Sequence, residues 1–101
     1  MTPINTTPST VLILFYQTVG IEQCAVFEQL KAQFSNQAKF IMVEVGHNPE
    51  VANSFEINTA TLPTIVEINN GKETWRHMGA FETNDMIQHL AGFHGQDMMY
   101  A

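Results

Sequence analysis

The stretch Thr61-Leu62-Pro63-Thr64-Ile65-Val66-Glu67-Ile68-Asn69-Asn70-Gly71-Lys72 decides the fold. Ile65 to Ile68 is short, apolar and rich in β-branched residues, which is typical of a buried strand. Asn70-Gly71 supplies two residues that tolerate positive φ, so the pair predicts a type I′ hairpin turn. The return strand is then predicted from about Glu73 to Met78. Pro63 stands at the first position of the strand that leads into this hairpin, where its missing N–H costs no interior hydrogen bond of the sheet.

Two upstream stretches extend this pattern. Val11-Leu12-Ile13-Leu14-Phe15-Tyr16 is apolar on both faces, as in a central strand of a parallel sheet covered by helices. Lys39 to Val45 is a further predicted strand, and Asn48-Pro49-Glu50 after it is a good helix entry, with Asn48 as the cap and Pro49 at the first helical position.

In this order and at this spacing, these stretches and the Met78-Gly79-Ala80-Phe81 run resemble the thioredoxin family over nearly the whole chain. The resemblance implies an α/β thioredoxin fold with a four-stranded mixed sheet flanked by helices. It also implies a cis peptide bond between Leu62 and Pro63. We expect an N-terminally trimmed version of this fold, because the nine residues before the predicted strand 11–16 cannot supply the strand and helix that thioredoxins usually carry there. The predicted sheet order is 39–45, 11–16, 64–68, 73–78.

Composition limits the class of protein. One domain is expected over 10–95, with an extended arm over 1–9 and a loosely ordered tail over 96–101. The chain has four Lys plus Arg residues and ten Asp plus Glu residues, so its net charge is −6. This charge argues against nucleic-acid and anionic-membrane partners. A single cysteine excludes an internal disulfide, and the first nine residues lack the pattern of a secretory signal. We therefore expect a cytoplasmic protein.

Three helices are predicted from spacing and capping. The first, Ile21 to Ser35, places Cys24, Phe27, Leu30 and Phe34 on one inward face. The second is short, from Pro49 to Phe55. The third, about Asn84 to Ala91, is capped by Thr83 and ended by Gly92 or Gly95. Its inward residues are predicted to be Met86, Ile87 and Leu90.

The family's Cys-X-X-Cys motif is missing. The apolar phase of the first helix favours an alignment in which Cys24 matches the second, resolving cysteine and Ile21 the first, with one extra residue in the preceding loop. Without that extra residue neither cysteine is kept, but Gln29 and Gln33 would then face the core. Under either alignment the attacking thiolate is absent. Glu22-Gln23 replaces the usual Gly-Pro, which puts a carboxylate where it opposes thiolate formation.

Two further departures involve charge. The resemblance matches the family's buried aspartate to Leu14, and the lysine that lies near it to Met42. Both members of a buried charge pair are thus replaced by apolar residues, which avoids leaving one unpaired buried charge. The loss of both indicates that the redox role has lapsed.

The part of the family's site that the resemblance still implies for this chain is the peptide-binding groove. The family binds an extended segment beside its cis-proline and the glycine after the hairpin, so the candidate groove residues here are Tyr16, Gly20, Ile21, Cys24, Leu62, Pro63, Met78 and Gly79. Pro63 and Gly79 have a second interpretation, in which they serve only to build the fold. Cys24 is either an inert small hydrophobe on the inward helix face or a reactive thiol.

The sequence therefore favours a non-catalytic thioredoxin-like module that binds a protein or peptide segment in this groove. The alternative is a monothiol redox factor in which Cys24 forms mixed disulfides with glutathione or a protein. No cofactor is expected. No metal site is expected either, because His47, His77, His89 and His94 fit no ligand spacing.

The predicted strand 39–45 raises the question of association. With an N-terminally trimmed fold we expect the outer edge of this strand to be unpaired, and only Lys39 and Glu44 would protect it with charge. Either residues 2–7 lie along this edge or a second molecule does. We expect a homodimer through this edge, or through the apolar surface left by the missing helix.

Overall fold

The computed structural model of the protein describes residues 9–17 and 22–90. Its regular elements in chain order are β1 (Thr10–Tyr16), α1 (Glu22–Phe34), β2 (Lys39–Glu44), α2 (Pro49–Ser54), a 3₁₀ turn (Thr59–Thr61), β3 (Thr64–Asn69), β4 (Lys72–Met78) and α3 (83–90). The predicted arm over 1–9, apart from Ser9, and the predicted tail over 96–101 lie outside the described residues, as do the two glycines proposed to end the last helix. No described helix is long and apolar enough to cross a membrane.

The four strands form one sheet in the order β2-β1-β3-β4, which confirms the predicted order. β1 pairs with β2 in parallel, with Leu14 beside Met42. It pairs with β3 antiparallel, with Leu14 beside Ile65. The sheet is therefore mixed, as predicted, with β1 between one parallel and one antiparallel neighbour.

The hairpin between β3 and β4 has the predicted turn chemistry. Asn70 has φ 52° and Gly71 φ 84°, and positive φ at both positions is what a type I′ turn requires. The pairing then shifts by one residue between Glu67 and Ile68, so Thr74 is the extra residue of a β-bulge.

The core consists of two layers, one on each face of the sheet. On the first face, Leu12 and Leu14 pack with Phe27 and Leu30 of α1 and with buried residues of α3. The second face is packed by α2; its buried apolar residues are Ile13, Phe15, Val45, Ala52 and Val66. Alternation along β1 thus serves both layers, since successive side chains of a strand point to opposite faces.

The helices follow the predicted phase with small differences in their ends. α2 begins at Pro49 as predicted, but the Asn48 side chain makes no capping bond and donates instead to the Glu44 carbonyl at 2.9 Å. α3 begins at residue 83, so Thr83 is helical and is not the cap. The Met86 amide already donates to the Glu82 carbonyl at 3.3 Å, which makes Glu82 the capping position.

Candidate functional site: the carboxyl end of β1

Three predicted site residues form a row across neighbouring strands. Phe15 pairs with Thr64, and Thr64 pairs with Met78. Tyr16 ends β1, Pro63 directly precedes β3 and Gly79 directly follows β4, so this register brings the three residues to the same end of the sheet. This row lies at the carboxyl end of β1, and five residues separate Tyr16 from the start of α1 at Glu22.

Hydrogen bonds hold the far side of this row together. The Gly79 amide donates to the Pro63 carbonyl at 2.8 Å and to the Thr61 carbonyl at 2.9 Å. Gly79 has φ 95°, a left-handed conformation that favours glycine, and the Leu62–Pro63 peptide is cis. The end of β4 is therefore fixed to the turn that leads into β3.

Met78 forms the apolar rim of the row. It is 59% exposed, the highest exposure of any large hydrophobic residue in the described part of the chain. Leu62, by contrast, is half-buried and packs against the core layer on the α2 face. Tyr16 and Cys24 pack against the layer on the opposite face. The row thus lies between the two layers.

Cys24 is the third residue of α1, and its side chain is half-buried and free. A thiol in the first turn of a helix is ordinarily favoured as thiolate by the helix dipole. Here burial, and then the carboxylate of Glu28 one turn later, raise the pKa of the Cys24 thiol above its usual value. The sequence had assigned this electrostatic effect to Glu22, whose side chain lies outside the described set, as do Gly20 and Ile21.

The orientation of α1 supports the alignment that matches Cys24 to the resolving cysteine. Phe27 and Leu30 are buried, and Gln29 and Gln33 are exposed. The alternative alignment required both glutamines to face the core. Of the two residues that stand for the family's charge pair, Leu14 is fully buried but Met42 is 37% exposed, so the description of both positions as buried was wrong for Met42. It lies on the edge strand β2, where one side has no described neighbour.

A polar cluster under α3 was not found from the sequence. Glu67 is only 2% exposed, and its carboxylate accepts a hydrogen bond from the Thr74 hydroxyl at 2.8 Å. Its other oxygen lies 3.1 Å from Nε2 of His89 in α3. The His89 ring stacks on Trp75, with 3.8 Å between the ring centres. The only signal in the sequence was an acidic residue inside an otherwise apolar strand.

These contacts join α3 to the β3–β4 hairpin and involve none of the residues predicted to line the groove. In the ranges 9–17 and 22–90, no three side chains of His, Cys, Asp or Glu lie close enough together to hold a metal ion.

Comparison with known proteins identifies the family. The thioredoxin family profile matches residues 4–92, and the chain belongs to the thioredoxin family. No curated protein matches it.

Several solved structures share its fold. Thioredoxin-2, a component of the malaria parasite protein secretion machinery, is 18% identical with a TM-score of 0.76, covering 88% of this chain and 87% of its own. The germline-specific thioredoxin Deadhead of Drosophila melanogaster is 17% identical with a TM-score of 0.72, covering 86% and 81%. A chain from a study of thiol resolution in the yeast mitochondrial 1-Cys peroxiredoxin is 18% identical with a TM-score of 0.72, covering 85% and 80%.

Proposed function

We propose that this thioredoxin-family protein has no dithiol redox activity and binds an extended protein or peptide segment in the groove beside Pro63. The observation that carries the proposal is the row of Tyr16, Pro63 and Gly79, with the exposed Met78 at its rim. In the family, an extended segment lies beside the cis-proline. A solvent-exposed methionine at that place suits a peptide contact, because its unbranched side chain adapts to different partners.

Cysteine chemistry supports the same proposal. One thiol cannot both attack a disulfide and resolve the mixed disulfide that results. The raised pKa of Cys24 also reduces the thiolate fraction at neutral pH.

The expected cytoplasmic location stays a prediction.

Selection from a displayed library of linear peptides tests the groove. Peptides enriched on the protein are expected to lose roughly tenfold or more in affinity when Met78→Asp is introduced, because the substitution replaces apolar contact with charge. Val51→Asp is the matched control, since Val51 is 40% exposed on α2, away from the row. Peptides that bind both variants as tightly as the original protein would contradict the proposal.

A second candidate function is a monothiol redox factor. The observation in its favour is that Cys24 is free and only partly buried in the first turn of α1. Its thiolate would attack glutathione disulfide, forming the Cys24–glutathione bond and releasing one glutathione thiolate. Mass spectrometry after incubation with glutathione disulfide distinguishes this function, with Cys24→Ser as the control.

A further inference from the structure

We propose that two copies of the chain associate through the outer edge of β2, in antiparallel register about a two-fold axis at Ile41. This association is independent of the groove. Among the described strands β2 pairs only with β1, so the backbone N–H and C=O groups on its other side have no described strand partner. An unpaired edge of this kind is a template for pairing with another strand.

The side chains of this edge are more apolar than an exposed edge ordinarily is. Ile41 is 36% exposed and Met42 37%, and these neighbours are two of the four exposed large hydrophobic residues in the described part of the chain. They point to opposite faces of the sheet. Both faces of the seam therefore present apolar surface.

A hollow of about 270 Å³ opens beside these residues, on the face of the sheet covered by α1. It is lined by Lys31, Ser35, Ala38, Lys39 and Phe40. Phe40 belongs to the core layer on that face, and Met42, two residues further along the strand, points to the same side. Each copy thus carries an exposed methionine, Met42, two positions along β2 from Phe40, which lines the hollow.

Two-fold symmetry fixes how these features meet. A two-fold axis perpendicular to a continuous sheet keeps each face on its own side, so the axis must pass through a residue of β2. An axis at Ile41 places Met42 of each copy opposite Phe40 of the other, where it can enter the hollow. An axis at Met42 would instead place the two methionines against each other and leave both hollows empty. The fit of Met42 into the hollow therefore favours a two-fold axis at Ile41.

Charge favours the same arrangement. The chain has only four Lys and Arg, and Lys31 and Lys39 both line the hollow. With the axis at Ile41, Glu44 of the second copy lies opposite Ala38, beside these lysines. That carboxylate accepts a bond from its own His47 amide at 2.8 Å, and a carboxylate can accept several donors at once. Two acidic molecules therefore meet where two of the four Lys and Arg residues of the chain lie.

The expected contact is small. A seam of six residues is about 20 Å long. With the residues around the hollow, it would bury an area near the lower end of specific interfaces, about 1,200 Å². Area alone does not fix affinity, so the dissociation constant must be measured.

Sedimentation velocity over a concentration series, from micromolar to millimolar, tests the association. The mass is expected to rise from monomer to dimer. Ile41→Lys brings two like charges together at the axis and should weaken the dimer roughly tenfold or more. Val51→Lys adds the same charge at an equally exposed site outside the seam and should leave the dimer unchanged. A monomer at every concentration, or equal weakening by both variants, would overturn the proposal.

Cysteine cross-linking tests the register. In a Cys24→Ser background, Ile41→Cys puts two thiols directly opposite each other, within the Cα separation of 4.4–6.8 Å that a disulfide needs. Met42→Cys puts them about 8 Å apart, which is too far. Oxidation should therefore cross-link the first variant and not the second. Cross-linking at 42 and not at 41 would show that the axis is misplaced.

Discussion

Leu14 and Met42 are direct neighbours on the parallel strands β1 and β2, yet they occupy different environments. Leu14 is fully buried, whereas Met42 is 37% exposed on the edge strand. In the family these positions hold a carboxylate and an amine near each other. The two apolar replacements are therefore not equivalent, because only Leu14 lies within the core.

Restoring the acid at this position is expected to destabilise the protein. Leu14→Asp buries a charge without a partner and should lower the free energy of unfolding by about 3–5 kcal/mol. Met42→Lys alters a partly exposed side chain and should change it by less than about 1 kcal/mol. Urea denaturation of both variants measures the difference. The double variant should recover part of the loss, since neighbouring residues couple, and equal losses in the two single variants would contradict this assignment.

Much of the fold could be predicted because its signals are local. The Asn70-Gly71 turn, the apolar strands and the inward face of α1 each depend on residues close together in sequence. The Glu67–His89 contact could not be predicted, since it joins residues 22 positions apart that meet only when α3 packs on the sheet. The exposure of Met42 was missed for a different reason. The resemblance matched Met42 to one member of a charge pair taken as buried, although strand 39–45 was predicted at the edge of the sheet.

The positive φ of Gly79 is expected to affect the stability of a Gly79→Ala variant more than steric contact of the added Cβ does. A Cβ at this position would meet no atom within 4 Å, but φ 95° is unfavourable for other residues. Gly79→Ala should therefore lower the free energy of unfolding by about 1–2 kcal/mol. Gly46→Ala is the control, because its Cβ would lie 3.2 Å from Oε1 of Glu44 but without positive φ, and it should cost less. The two denaturation midpoints decide, and a larger loss for Gly46→Ala would contradict the explanation.

The reactivity of Cys24 should follow its raised pKa. Since the thiolate is the reacting form, a higher pKa in the folded protein lowers the thiolate fraction at any pH below it. Alkylation by iodoacetamide at pH 8 should thus be slower in the folded protein than in the urea-unfolded chain. Glu28→Gln should speed the folded reaction part of the way, because burial, the larger cause, remains. A folded protein that reacts faster than the unfolded chain would contradict this prediction.

Disulfide reduction tests the loss of dithiol chemistry. With dithiothreitol as the electron donor, insulin reduction should proceed no faster than with the reductant alone, because the chain has one cysteine and cannot complete the attack and resolution cycle. A dithiol thioredoxin assayed in parallel provides the positive control. A rate well above that of dithiothreitol alone would show that Cys24 supports turnover.

The stacking of Trp75 on His89 gives the protein its own optical reporter. Trp75 is the single tryptophan of the chain, and the ring it contacts belongs to α3. Any opening that lifts α3 from the sheet separates these rings, even while the β-hairpin stays intact. Changes in intrinsic emission therefore follow the docking of one helix, whereas the far-ultraviolet dichroism averages over all of them, and disagreement between the two signals would reveal an intermediate in which α3 alone has left.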